Sequence, residues 1–254
     1  MYEQTARILP ALKELFAGVA IYATAATQER SLALLAEYEC IVRREPPGTP
    51  NGLPELGRSR RAVVALALEW DAPCMLFCDF DRALHWAEYY PAELAQVAAA
   101  AEEHDFVVLG RTPRAFASHP RTQRDTEAII NHVYATVSGR TWDVTAAARL
   151  ISRTAAAAIL DGCPEHSVGT DVAWPLFVGR AHDLRIDYVE TEGLEFETAD
   201  RYADEIAAAG GLERWIDRLD ADPSNWALRL ELARLEVAAA KPYAEMKPIT
   251  RRQQ

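Results

Sequence analysis

Short apolar runs alternate with amphipathic helical patterns along most of the chain. Four short runs predict strands: 19–25, 40–45, 74–78 and 106–112. The β-branched and apolar run 19–25 suits a strand buried on both faces, and 74–78 also suits a buried strand. Between the four runs, apolar residues recur at helical spacing in 28–39, 58–70 and 91–104. This order of strands and helices predicts an α/β protein with a mixed, mainly parallel sheet and helices on both of its faces.

The pattern is helical at both ends of the chain. Apolar residues at helical spacing in 1–17 predict an N-terminal helix, and the region 199–254 reads as helical, with a capped last helix starting near Asp222. We therefore expect an α/β domain over 18–198 with a helical extension on each side.

Three further segments carry weaker patterns. The segment 184–190 predicts a late strand. The basic stretch 111–124 predicts an irregular loop. The segment 144–160 fits a strand or a helix, and its alanine content favours a helix in the second half.

Composition narrows the possible partners. The formal charge of −11 and the pI near 5.1 argue against a nucleic-acid surface, although Arg58, Arg60 and Arg61 could form a local anion site. No stretch approaches the ~20 apolar residues that a membrane span needs, and the N-terminus does not resemble a signal peptide. The four cysteines lack metal-ligand spacing, so we expect a reduced, cytoplasmic protein.

Candidate chemistry lies at the end of the third predicted strand, in Asp79-Phe80-Asp81. In an extended segment, Asp79 and Asp81 would face the same way at the carboxyl end of a buried strand, where open α/β sheets bind ligands. Two adjacent carboxylates repel unless a cation lies between them, and Mg²⁺ or Mn²⁺ prefers such oxygen ligands. The alternative is an ordinary strand-ending turn.

The position of these aspartates resembles the DxD motif of GT-A glycosyltransferases, and the likeness to the family-2 type spans 18–198. The resemblance implies metal-dependent transfer of a sugar from a nucleoside diphosphate sugar to a hydroxyl of a small molecule or glycan. It implies that Asp79 and Asp81 hold Mg²⁺ or Mn²⁺, and that Asp79 and Phe80 contact the donor.

The resemblance also suggests donor-binding residues elsewhere. The loop after the first strand would contact the nucleoside through Thr24, Thr27 and Glu29, although Thr27 could equally be a helix N-cap with Glu29 in the first turn. Arg58 and Arg61, at i, i+3 spacing on the helix before the DxD strand, would face the diphosphate unless they are solvated surface residues.

Inverting members of the family carry a carboxylate base at the N-terminus of a later helix, often within an acidic pair. The best match is Asp171, although Thr170 stands where the first acid would be. The alternative is a helix-terminal charge. A third metal ligand often follows the last strand, where this chain offers Glu195 or Glu197 instead of histidine.

Three other hypotheses stay open. Haloacid-dehalogenase-like phosphatases also end a buried strand in DxD, but there the motif lies on the first strand and continues with Thr or Val where this chain has Ala83. A nucleotidyltransferase would require a glycine-rich loop after the first strand, and 24–29 has no glycine. A non-catalytic scaffold could use the C-terminal helical region to bind a partner or to form a homodimer.

Overall fold

A computed structural model describes residues 1–100, 104–181 and 183–245. The protein is mixed α/β, with much more helix than strand. In the described residues the strands are β1 (Ala20–Ala23), β2 (Ile41–Arg44), β3 (Cys74–Phe77), β4 (Phe106–Arg111), β5 (Ala148–Ser152) and β6 (Ile186–Thr191).

The helices of the first part of the chain are α1 (Tyr2–Leu15), α2 (Glu29–Glu37), α3 (Leu56–Ala67), α4 (Phe80–Tyr89), α5 (Pro91–Ala99), α6 (Pro113–Ala117) and α7 (Arg121–Ser138). The later helices are α8 (Arg153–Gly162), α9 (Thr170–Val178), α10 (Ala203–Ala209), α11 (Leu212–Ala221) and α12 (Pro223–Ala244). A 3-10 helix, Glu197–Arg201, precedes α10.

The strands form two small sheets. β1 pairs in parallel with β2, and the second sheet has the order β3-β5-β4-β6. β5 is antiparallel to both β3 and β4, and β6 is parallel to β4. Strands β3, β4 and β6 therefore point the same way and β5 is reversed. The predicted mixed α/β class is confirmed, but two sheets replace the single expected one.

Local capping explains two segments whose sequence pattern was weak. Residues 148–152 form β5, and Ser152 then caps α8 by accepting a hydrogen bond from the Ala155 amide at 3.1 Å, so the helix expected in the second half is confirmed. The expectation of an irregular loop over 111–124 is wrong. Thr112 caps α6 by accepting from the Ala115 amide at 3.1 Å, and α7 begins at Arg121.

Both terminal extensions pack into the α/β unit. α12 lies against α7 and α9, and its buried residues Ala233, Ala239, Ala240 and Tyr243 join the core between the second sheet and its helices. α1 packs on α4 and contributes Leu12 to a second core cluster. The homodimer through the C-terminal region stays a prediction, and it would have to use faces other than this buried one.

No helix in the part of the chain that the structure describes is long and apolar enough to cross a membrane. No disulfide joins any of the cysteines, and Cys163 is buried between helices. The thiol of Cys163 lies 3.8 Å from the hydroxyl of Tyr243, so this cysteine serves packing.

Candidate functional site

The two aspartates lie at the junction between β3 and α4. β3 ends at Phe77, Asp79 is the N-cap of α4 with extended backbone (φ −64°, ψ 143°), and Asp81 is already in the first helical turn. The expectation that both residues belong to one extended segment is therefore wrong. Helical spacing wins because it buries Leu84 of α4 completely.

The two carboxylates have different surroundings. Asp79 is exposed, and its carboxylate has no hydrogen bond or ion pair with any described residue. Asp81 is half-buried and pairs with Arg201 at 3.2 Å. Burial, followed by the negative charges of Asp79 and Glu197, raises the pKa of Asp81 above its usual value. Asp79 is thus the carboxylate available to a ligand.

A cavity of about 550 Å³ lies beside Asp79, between β1 and β3. Its lining includes the unbroken runs 17–22 and 72–80. Successive residues of a strand point to opposite faces, so an unbroken run can line a cavity only along the strand edge. The cavity therefore separates the facing edges of β1 and β3, and Leu12, Val63 and Val64 supply part of its apolar wall.

Polar groups gather at the end of this cavity where both strands finish. Thr24 follows β1, Asp79 follows β3, and Ser59 and Arg60 come from the first turns of α3. At the opposite end Trp70 packs against Gly18, where an added Cβ would lie 2.2 Å from the indole. The cavity thus has an apolar body and one polar mouth, as small-molecule sites commonly do.

Arg60 supplies a positive charge at the mouth of the cavity. Its side chain is 8 % exposed, and Nη1 lies 2.9 Å from the Asp171 carboxylate and 2.8 Å from the Thr170 hydroxyl. Burial would lower the pKa of Arg60, but the charges of Asp171 and Asp79 raise it overall. Its buried Nε–H has no acceptor among the described residues. This N–H is therefore able to donate to an oxygen of a ligand in the cavity mouth.

Asp171 lies behind Arg60, in the first turn of α9. It is 5 % exposed and also lies 3.6 Å from the Arg149 guanidinium, which donates to the Asp171 carbonyl at 3.1 Å. The predicted helix-terminal position is correct. Asp171 does not line the cavity; its carboxylate orients Arg60.

The two arginines predicted from the sequence take other positions. Arg58 is exposed and pairs with Glu55 at 2.5 Å. Arg61 donates to the carbonyls of Ile159 and Cys163 at 2.9 Å each, and so caps the C-terminal end of α8. Neither guanidinium lines the cavity, because the two residues between them, Ser59 and Arg60, face it instead.

The loop after β1 is only partly directed at the cavity. Thr24 lines the mouth, and its hydroxyl lies 3.4 Å from that of Thr27. The N-cap of α2 is Gln28 rather than Thr27, and Glu29 of the first turn pairs with Arg44. Thr24 therefore lines the cavity mouth with Thr27 beside it but outside the lining, whereas Glu29 joins α2 to β2.

Buried ion pairs extend from this site along the carboxyl ends of β4 and β6. Arg111, the last residue of β4, contacts Glu127 at 2.6 Å, Asp143 at 2.8 Å and the Thr145 hydroxyl at 2.8 Å. Burial would raise the pKa of Asp143, but Arg111 lowers it far below its usual value. These contacts hold the end of β4 to α7 and to the segment before β5.

Arg82 links this network to the two aspartates. It pairs with Glu197 at 2.8 Å, and both side chains are buried. Glu195 pairs instead with Arg114 at 2.6 Å. Both candidate third metal ligands are thus held by arginines.

Three of these residues could not be identified from sequence spacing alone. Arg60 was one of three clustered arginines, and Arg82 and Arg111 were not singled out. The only sequence signal was an arginine inside or directly after an apolar run, as in 106-FVVLGR-111. Such a residue predicts a buried, paired cation.

Within the described residues, no group of three or more His, Cys, Asp or Glu side chains is arranged to hold a metal ion. The donor set offered by Asp79 and Asp81 is two carboxylates. That set fits a hexacoordinate ion such as Mg²⁺, which is usually held by one or two carboxylates plus substrate phosphates and water. Asp79 lines the cavity mouth, whereas Asp81 lies outside the lining and is paired with Arg201, so it would join the ion only after leaving that arginine.

No family model, no curated protein and no solved structure matches this chain. Function is therefore inferred from the geometry of the site.

Proposed function

We propose that the protein is a GT-A-like glycosyltransferase that moves a sugar from a nucleoside diphosphate sugar to a hydroxyl of a small molecule or glycan, with Mg²⁺ or Mn²⁺. One observation carries this proposal: the unpaired Asp79 carboxylate shares a cavity mouth with Thr24 and with the buried guanidinium of Arg60. A carboxylate by itself would repel a diphosphate. An arginine by itself could bind a diphosphate without a carboxylate beside it. Together they suit a diphosphate bound through a cation.

The chain's own residues would divide the work as follows. Asp79 and Asp81 would hold the ion, which requires Asp81 to leave Arg201 and turn towards the cavity mouth. Arg60 would donate its free Nε–H to a diphosphate oxygen. Thr24 and Thr27 would contact the nucleoside, and half-buried Phe80 would pack beside it. The neighbouring Cys78 takes no part as a nucleophile, because burial raises the pKa of its thiol to about 12.

When bound, the divalent ion would neutralise charge that develops on the departing diphosphate. Arg60 supports the same charge from the opposite side of the mouth. Asp171 is the proposed general base, which would take the proton of the acceptor hydroxyl as its oxygen attacks the anomeric carbon. Because Arg60 and Arg149 hold its carboxylate, this role requires Arg60 to turn towards the diphosphate and release Asp171.

Binding of UDP and GDP, measured by calorimetry with and without Mn²⁺, tests the donor site. We expect Mn²⁺-dependent binding in the natural protein and its loss in Asp79→Asn. Asp217→Asn, which removes an exposed carboxylate of α11, is the matched control and should bind normally. Unchanged binding by the Asp79 variant would refute the assignment.

A screen of nucleotide sugars for Mn²⁺-dependent hydrolysis or transfer then tests the reaction. Release of the nucleoside diphosphate that disappears in Asp79→Asn supports a glycosyltransferase. Hydrolysis of p-nitrophenyl phosphate without any action on nucleotide sugars would instead support the phosphatase hypothesis, with Asp79 as nucleophile.

A further inference from the structure

The last long helix, α12, buries an acidic residue on the face whose other buried residues are not charged. Its buried residues 233, 236, 240 and 243 follow helical spacing along one face. Three of them are Ala233, Ala240 and Tyr243, and the fourth is Glu236, only 1 % exposed. A carboxyl group in such a place costs folding free energy unless it is paired, so it requires an explanation.

Glu236 has no such pairing. Its Oε2 atom is buried without a hydrogen-bond partner among the described residues, and no ion pair includes it. The charged groups that act on it electrostatically are Arg60 of α3, Glu127 of α7, Arg149 of β5, Asp171 of α9 and Arg229 of its own helix. The side chain thus belongs to the cluster that holds Arg60.

A close helix contact brings Glu236 to this cluster. Gly169 is the N-cap of α9, and a Cβ added there would lie 2.6 Å from the Cβ of Ala239. The absence of a side chain at this glycine lets α12 approach the N-terminal turn of α9, which carries Asp171. The same approach places Glu236, one turn away on α12, against the site.

We propose that Glu236 is a positioning residue of the candidate site: the carboxyl group that α12 buries beside Asp171 sets the charge of the cluster that orients Arg60 and Arg149. The proposal deepens the proposed function, on which it rests for the role of Arg60 as a ligand-binding group. It also makes the C-terminal extension part of the site.

The surroundings of this carboxyl group favour its neutral form. Glu236 is 1 % exposed, and no arginine lies within ion-pair distance of it in the described residues, so ionisation would leave a buried charge without a hydrogen bond or salt bridge. Burial, followed by the charges of Asp171 and Glu127, raises the pKa of Glu236 well above its usual value. When Glu236 is neutral, the Asp171 carboxylate stays paired with Arg60. An ionised Glu236 would attract Arg60 and Arg149 and weaken their contacts with Asp171.

Arginine side-chain NMR tests the inference without any nucleotide. Protein labelled with ¹⁵N-arginine is titrated from about pH 5 upwards, above the usual glutamate range. The Nε–H resonances of Arg60 and Arg149 are assigned with Arg60→Lys and Arg149→Lys. We expect both resonances to shift with one common midpoint in the natural protein and to stay constant in Glu236→Gln.

The matched control is Glu231→Gln, which alters an exposed glutamate of the same helix, and it should titrate like the natural protein. Resonances that do not move in the natural protein, or that move equally in Glu236→Gln, would overturn the proposal. So would failure of Glu236→Gln to fold, because the amide replaces a carboxyl group that is already uncharged.

The unfolding equilibrium gives a second readout. A raised pKa in the folded protein means that the natural protein loses stability as pH rises from the usual glutamate range towards the folded-state pKa. The folded-to-unfolded ratio of Glu236→Gln, relative to the natural protein, should grow about tenfold per pH unit in that window. Parallel stability curves would contradict the inference. Failure of UDP and GDP to bind would count against the proposed function and leave this result unaffected.

Discussion

Replacing Arg60 by Met is the sharpest test of the site's electrostatics. The change keeps the aliphatic stem and removes a guanidinium that is 8 % exposed and 2.9 Å from Asp171. Asp171 would then be left buried, with only Arg149 at 3.6 Å. Breaking a buried ion pair by removing one partner costs about 3–5 kcal/mol.

The neighbouring Arg58 provides the control. Its side chain is 62 % exposed and pairs with Glu55 at the surface, so Arg58→Met should cost less than about 1 kcal/mol. Urea unfolding followed by circular dichroism measures both variants, and an unchanged m-value would show that only stability changed. At roughly 2–4 °C per kcal/mol for a chain of this size, the Arg60 variant should melt about 10 °C lower.

A double mutant separates the ion pair from general damage. Asp171→Asn removes the partner charge, so the combined Arg60→Met/Asp171→Asn variant should lose less stability than the two single losses added together. Additive losses, or an Arg60→Met variant as stable as Arg58→Met, would refute the view that these residues form a coupled buried pair.

Three further predictions concern stability. Burial would lower the pKa of His85, but its 2.8 Å contact with Asp200 helps to raise it overall, so stability should fall as pH rises above about 6.5, and His85→Gln should flatten this part of a thermal-melting pH profile. Gly57→Ala should destabilise the protein by about 1–3 kcal/mol although alanine favours helices, because the new Cβ would lie 2.5 Å from the backbone of His166; equal or higher stability in urea would contradict the packing. Asp222→Ala should cost about 1 kcal/mol in the same assay, since it removes the side chain that accepts from the second amide of α12 at 2.8 Å, and a neutral result would show that the cap is unimportant.

The strands and most helices were predictable because their signal is local. The apolar runs at 74–78 and 106–112 match β3 and β4 within a residue, since the first four residues of each strand are apolar. Asp171 was correctly predicted at a helix start. Prediction failed where a strand runs directly into a helix. Asp79 and Asp81 were expected in one extended segment, but α4 begins at Phe80, so Asp81 is helical.

Residue spacing on one helix cannot tell which of two faces meets the ligand. Arg58 and Arg61 share a face of α3, but Arg60 was brought to the cavity by the packing of α3 against β1 and α8. Likewise the basic stretch after β4 looked like a solvated loop, yet Arg111 is buried by acids 16 and 32 residues further along the chain.

The sequence by itself therefore determined the α/β class, the positions of β1 to β4 to within a few residues, and the location of the acidic pair after the third strand. Those features depend on the spacing of apolar residues and on turn-forming residues, and both are set within short segments of the chain. Only the tertiary structure decided that β1 and β3 stand apart around a cavity, that Arg60 rather than its neighbours reaches the mouth, and that Glu236 joins it from α12. These facts depend on which distant segments pack together, because the charge balance of a buried cluster is set by residues far apart in the chain.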